Sequence, residues 1–153
     1  MLVCEKQITL IYGHPNLNAA RSAKTGWRNL CILSTMKCPK CKHDMEAIEY
    51  EGVEVDRCKS CKGIWFDVGE SEWLFGEDAA NAIDTGDPSV GQRTNQIDRY
   101  RCPRCDGGMM RRTEPKKKQI KYEECSSCRG MFFDAGEFTG LVRDAVSALL
   151  KQR

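Results

Sequence analysis

Eight of the ten cysteines fall into four C-x2-C pairs: Cys38–Cys41, Cys58–Cys61, Cys102–Cys105 and Cys125–Cys128. A C-x2-C turn places two sulfurs on one side of an ion, and a second turn returned by a hairpin closes the other side. Four thiolates in a tetrahedron suit zinc, and a fully sulfur-filled site is structural because no position stays open for substrate. The reading is therefore two Zn2+ ions, one held by Cys38, Cys41, Cys58 and Cys61, the other by Cys102, Cys105, Cys125 and Cys128. Iron in a rubredoxin-like tetrathiolate and disulfides are the alternatives. Cys4 and Cys31 lack partners at useful spacing. His43, two residues after Cys41, has Gly107 as its counterpart and reads as a solvated turn residue.

The pairs belong to an internal repeat. Cys58-Lys-Ser-Cys61-Lys-Gly-Ile-Trp-Phe-Asp-Val-Gly-Glu70 returns as Cys125-Ser-Ser-Cys128-Arg-Gly-Met-Phe-Phe-Asp-Ala-Gly-Glu137. Cys38-Pro-Lys-Cys41 returns as Cys102-Pro-Arg-Cys105, followed by Met45 and Met109. The spacers read as hairpins: strands over 45–50 and 53–57 around Glu51-Gly52, then 109–113 and 119–124 around a Pro115–Lys118 tip. Asp67 and Asp134 are expected helix N-caps, with Glu70 and Glu137 answering three positions on as capping-box partners. Gly69 and Gly136, poor helix formers, are expected to permit close approach to the metal-side backbone. The first helix is expected to be short. The second places Phe138, Leu141, Val142, Ala145, Val146, Leu149 and Leu150 on one stripe, a surface for self-association.

The fold class predicted is a small metal-stabilised α+β chain of two tandem zinc ribbons, each knuckle, β-hairpin, knuckle and helix. Each unit is too small to outweigh chain entropy by apolar burial alone, so the metal is the main folding term. Ribbon 1 spans 36–75 and ribbon 2, with its longer C-terminal amphipathic helix, 101–153. Residues 76–100, polar and without a sustained period, read as a flexible linker. Residues 1–35 lack the repeat's features and read as a disordered tail or an extension upstream of a natural start at Met36.

The second half of the repeat, C-x-x-C-x-G-x-W/F-F-D-x-G-E after a C-P-x-C knuckle, resembles the transcription-factor zinc-finger family, named for likeness to the zinc ribbon of transcription factor IIB. The resemblance covers about 36–75 and 101–141. It implies a zinc-bound ribbon with a short helix and a nucleic-acid or protein partner. The eight paired cysteines are the residues carried over, and Phe132 standing for Trp65 implies altered packing with the metal site unchanged.

Function is read from what surrounds the cysteines. Residues 36–75 carry 6 basic and 9 acidic side chains, whereas 101–153 carry 12 and 7. The second repeat is thus the face for an acidic partner. Lys116, Lys117 and Lys118, with Arg111, Arg112 and Lys121, could meet phosphates, and one ring each from Trp65-Phe66 and Phe132-Phe133 could stack on bases while the other packs as core. The expected function is a structural zinc module binding nucleic acid or a nucleic-acid machine; the alternative is a protein-interaction adaptor with no nucleic-acid contact. No catalytic set or phosphate loop is visible, so an enzyme is not expected. The apolar stretch Ile8 to Tyr12 is too short for a secretory signal, no segment has the length of a membrane span, and a reducing cytoplasm is the expected compartment.

Overall fold

The computed structural model describes residues 35–113 and 120–151. The first repeat forms strands β1 (Met45–Tyr50), β2 (Val53–Cys58) and β3 (Ile64–Phe66), then the single-turn helix α1 (Glu70–Trp73). Helices α2 (Glu77–Ile83) and α3 (Pro88–Thr94) follow. The second repeat gives β4 (Met109–Thr113), β5 (Lys121–Cys125), β6 (Met131–Phe133) and the long helix α4 (Glu137–Leu150). The β1–β2 turn works because Glu51 and Gly52 both take left-handed backbone, φ 50° and 85°, which matches the twist of a tight hairpin. The expected Pro115–Lys118 tip, Cys4, Cys31 and most of the 1–35 segment lie outside the described residues.

Both repeats join one antiparallel sheet in the order β1-β2-β3-β6-β5-β4. Its centre is the pairing of β3 with β6, with Ile64 opposite Phe133, Trp65 opposite Phe132 and Phe66 opposite Met131. Trp65 and Phe132 are equivalent positions of the repeat, so a pseudo-two-fold axis passes through their pair. The arrangement is that of an isologous dimer built within one chain. It also removes an exposed edge from each ribbon.

Side chains alternate across the sheet. Val55, Ile64, Phe66 and Phe133 meet the helices on one face, clustering with Leu74, Ala79, Ala80, Ile83, Phe138 and Val142. Trp65 and Phe132 point to the other face, into a cluster with the cysteines and Met45. Both rings of each aromatic pair are therefore buried. The expectation of one stacking ring per pair fails because β3 and β6 are inner strands covered on both sides.

The 76–100 segment is a further correction. It carries α2 and α3 and is no flexible tether. Ala79, Ala80 and Ile83 form a narrow apolar stripe, too brief for periodicity to register, yet all three are buried. Asp87 caps α3 by accepting from the Ser89 amide at 2.7 Å, with Pro88 in the first turn. Asp84, just past α2, accepts from the amides of Gly136 at 2.8 Å and Thr139 at 3.0 Å, capping α4 from another element.

The expected caps are realised only in part. Glu70 and Glu137 accept from the Asp67 and Asp134 amides at 2.7 and 3.3 Å. The carboxylates of Asp67 and Asp134 do not cap; the N-cap positions are Gly69 and Gly136, at φ 89° and 82°. Backbone handedness is what requires glycine there. Close approach to the metal-side backbone is not the reason: a Cβ on Gly69 would meet nothing within 4 Å, and one on Gly136 would meet Pro88 of α3 at 2.7 Å.

The inter-repeat seam is tightest at Gly130, where a Cβ would lie 2.2 Å from Cζ2 of Trp65. Gly130→Ala is expected to lower the stability of the metal-loaded protein by about 1–3 kcal/mol through overpacking. At Gly108 the nearest atom is 3.9 Å away, and Gly108→Ala should stay within about 0.5 kcal/mol. Urea denaturation of both variants measures the difference.

Candidate metal centres

Each knuckle is a closed backbone turn. The amide of Lys42 donates to the Cys38 carbonyl at 3.1 Å, Lys62 to Cys58 at 3.2 Å, Asp106 to Cys102 at 2.9 Å and Arg129 to Cys125 at 3.1 Å. The donor residue follows the second cysteine in all four and takes left-handed backbone, φ 57–64°. Hairpins then carry one knuckle back against the other. The chain forms two groups of four sulfurs, Cys38 with Cys41, Cys58 and Cys61, and Cys102 with Cys105, Cys125 and Cys128. Each group lies within one repeat, with no cross-bracing.

Within a group the sulfurs lie within 4.8 Å of one another. Cys38 and Cys61 are 3.7 Å apart, Cys41 and Cys58 3.4 Å, Cys102 and Cys128 3.5 Å, and Cys105 and Cys125 3.5 Å. A disulfide would bring a pair to about 2.05 Å. A zinc tetrahedron with bonds of about 2.3 Å has edges of about 3.8 Å, close to these separations. The donor set fits a tetrathiolate metal ion. Amides also point at sulfur: Ser60 on Cys58, Arg104 on Cys102 and Ser127 on Cys125, each at 3.4 Å. Such bonds favour the thiolate. Against burial, which raises it, the amides of Cys128 and Ser127 bring Cys125 down to about 7. Hydrogen bonding to Cys58 and Cys61, with burial, pushes the Cys38 thiol far up. A metal ion therefore displaces protons on binding, and acid opposes its uptake. His43 stands apart from the sulfurs, exposed, its Nδ1 3.1 Å from the Cys41 carbonyl oxygen.

Charges at the knuckles, overlooked in the sequence, tie the repeats together. Lys40, between Cys38 and Cys41, reaches into the second repeat: its Nζ lies 2.8 Å from Glu123 Oε1 and 3.1 Å from Asp134 Oδ2, with the side chain 0% exposed. Its ammonium also sits 4.8 Å above the Tyr100 ring centre. Arg104, its counterpart, reaches into the first repeat, with Nη2 2.9 Å from Asp56 Oδ2 and 3.0 Å from Asp67 Oδ2. Asp56 and Glu123 are equivalent positions, as are Asp67 and Asp134. The ion pairs are thus reciprocal across the pseudo-axis. Burial pushes the Glu123 carboxyl up, opposed by the hydrogen bond and charge of Lys40. A signal was present in the sequence: a basic residue recurs in both C-P-x-C knuckles, and the acids recur in both repeats.

The Phe132-for-Trp65 exchange is absorbed locally. Trp65 Nε1 donates to Asp67 Oδ1 at 2.9 Å, while Asp134 accepts from Thr94 Oγ1 at 2.6 Å. Arg111 and Arg112 are engaged in ion pairs within the fold. Arg111 pairs with Glu123 and Asp98 and donates to the carbonyls of Asn95 and Ile97. Arg112 meets Glu124 at 2.8 Å. Lys116, Lys117 and Lys118 fall outside the described residues.

The α4 stripe is divided: Phe138 and Val142 are buried, while Leu149 and Leu150 are exposed. Between α1 and α4 lies an apolar groove of about 410 Å³, lined mainly by Phe75, Tyr122, Met131, Phe133, Phe138 and Leu141. Trp73, 83% exposed, stands on α1 beside the groove-lining Glu72.

The model of the transcription factor zinc-finger family matches residues 37–75 and 101–144. The chain belongs to this family. Each matched segment contains one complete four-cysteine group, so the protein is a tandem of two zinc-ribbon modules. No curated protein and no solved structure matches it.

The two knuckle cations differ in burial. Lys40→Ala strips the buried Asp134 and Glu123 of their shared cation, Glu123 keeping only Arg111 at 3.4 Å, and should cost about 3–5 kcal/mol. Arg104 is 35% exposed and screened by solvent, so Arg104→Ala should cost about 1 kcal/mol or less. Denaturant unfolding of both variants at equal metal loading checks the ratio.

Proposed function

We propose that this protein is a non-enzymatic, zinc-bound adaptor: two structural Zn2+ ions stiffen the double ribbon, and its helix-bearing face docks a protein partner. The zinc assignment is supported by closed four-sulfur donor sets in a family of zinc ribbons. The single observation that carries the docking role is the apolar groove over β5 and β6, with Phe75 and Leu141 on its walls. An open apolar groove between helices suits a protein segment that presents apolar side chains. A reducing cytoplasm is the compartment in which eight such thiolates persist. Among the described residues no helix is long and apolar enough to cross a membrane.

The nucleic-acid reading loses ground on the same face-by-face account. The four central rings are buried, and Arg104, Arg111 and Arg112 are ion-paired within the fold. What favours it is the excess of basic residues over 101–153.

Two measurements separate the readings. The adaptor reading expects no saturable binding of single- or double-stranded nucleic acid at low salt, where phosphate contacts are strongest. It also expects a protein retained from nuclease-treated native lysate by the wild type and lost with Leu141→Arg, a variant that should keep its metal. Nucleic-acid affinity that falls steeply with salt, with no protein lost on Leu141→Arg, would reverse the assignment.

A further inference from the structure

The groove has a counterpart elsewhere in the molecule, and there it is filled. Cys58 and Cys125 set an offset of 67 residues between the repeats. By that offset, Tyr122, Met131, Phe133 and Leu141 of the groove correspond to Val55, Ile64, Phe66 and Leu74. All four counterparts are buried, none more than 2% exposed. They share their cluster with Ala79, Ala80 and Ile83 of α2. Phe75 of the groove corresponds to Val142, also in that cluster, and Glu72 to Thr139, whose hydroxyl donates to the Ala80 carbonyl at 3.3 Å. Helix α2 is thus the cover of one half of the face.

The other half has no such cover within the described residues, for a reason written in the chain. After Phe75 the first repeat breaks at Gly76, in extended backbone, and folds back as α2. After Val142 the second repeat continues as α4 to Leu150. The pseudo-axis therefore leaves a seat shaped for a helix like α2.

We propose that the groove binds one short amphipathic helix from a partner protein, presenting a stripe of small residues and one larger aliphatic, in the manner of Ala79, Ala80 and Ile83. The proposal rests on the adaptor reading and gives its partner a chemistry.

The probe is a side-chain-stapled peptide carrying the stripe of α2; stapling is needed because two turns do not stay helical alone. It is titrated into isotope-labelled, zinc-loaded full-length protein and followed by NMR. The expected result is saturable shifts at Phe75, Tyr122, Met131 and Leu141, abolished by Leu141→Arg or Met131→Lys at unchanged zinc content. Absence of saturable shifts overturns the proposal, as do shifts confined to Val55, Ile64 and Phe66, which would mean displacement of α2. Concentration-dependent dimerisation through the groove residues, without peptide, also overturns it in favour of a second copy. If Leu141→Arg loses a lysate protein while the peptide fails, the helix assignment falls and the adaptor reading stands.

Discussion

Four sulfurs gathered at the end of each hairpin are the constraint on which the rest depends. Each ribbon alone offers three short strands, one helix and little apolar surface, so its knuckles need a metal to hold their shape. Once held, the knuckles become platforms. Cys38 and Cys41 fix the backbone on either side of Lys40, and Cys102 and Cys105 do the same for Arg104. From those positions the two cations reach the acids of the opposite repeat. Metal binding, charge pairing and sheet continuity form one chain of causes.

The double ribbon is consequently a different object from two ribbons on a string. Its central strands contribute three residues each, yet they pair across the repeats and bury every side chain but Met131 to within a few per cent of exposure. Gly63 and Gly130 let the ring of the opposite repeat lie against the knuckle: a Cβ on Gly63 would sit 2.4 Å from Phe132. The symmetry then breaks after the first helical turn. One repeat stops and covers its half of the face with α2; the other runs on as α4. That break creates the groove, and with it a place where a function can reside on an otherwise structural fold.

Much of this was legible in the sequence because the chain states its plan twice. Comparing copies identified the cysteine sets and the hairpins and placed the helix starts to within two residues, since residues required by the fold recur and the rest drift. The pairing of β3 with β6 was harder to see. A three-residue apolar run has no periodicity of its own, and its partner lies more than 60 residues away. Helices α2 and α3 were concealed by polar composition, because a stripe of two alanines and one isoleucine carries little hydrophobic signal. Asp67 and Asp134 looked like caps because spacing alone cannot tell an aspartate serving its own helix from one serving the other repeat.

The most direct test is amide exchange across β3 and β6, read on reduced full-length protein with its metal and after complete chelation. The account predicts two zinc ions per chain in the starting protein and strong protection of the paired amides at Ile64 to Phe66 and Met131 to Phe133. Removing both ions should abolish that protection. Persistence of the protected sheet in reduced protein from which all metal has been stripped would contradict it.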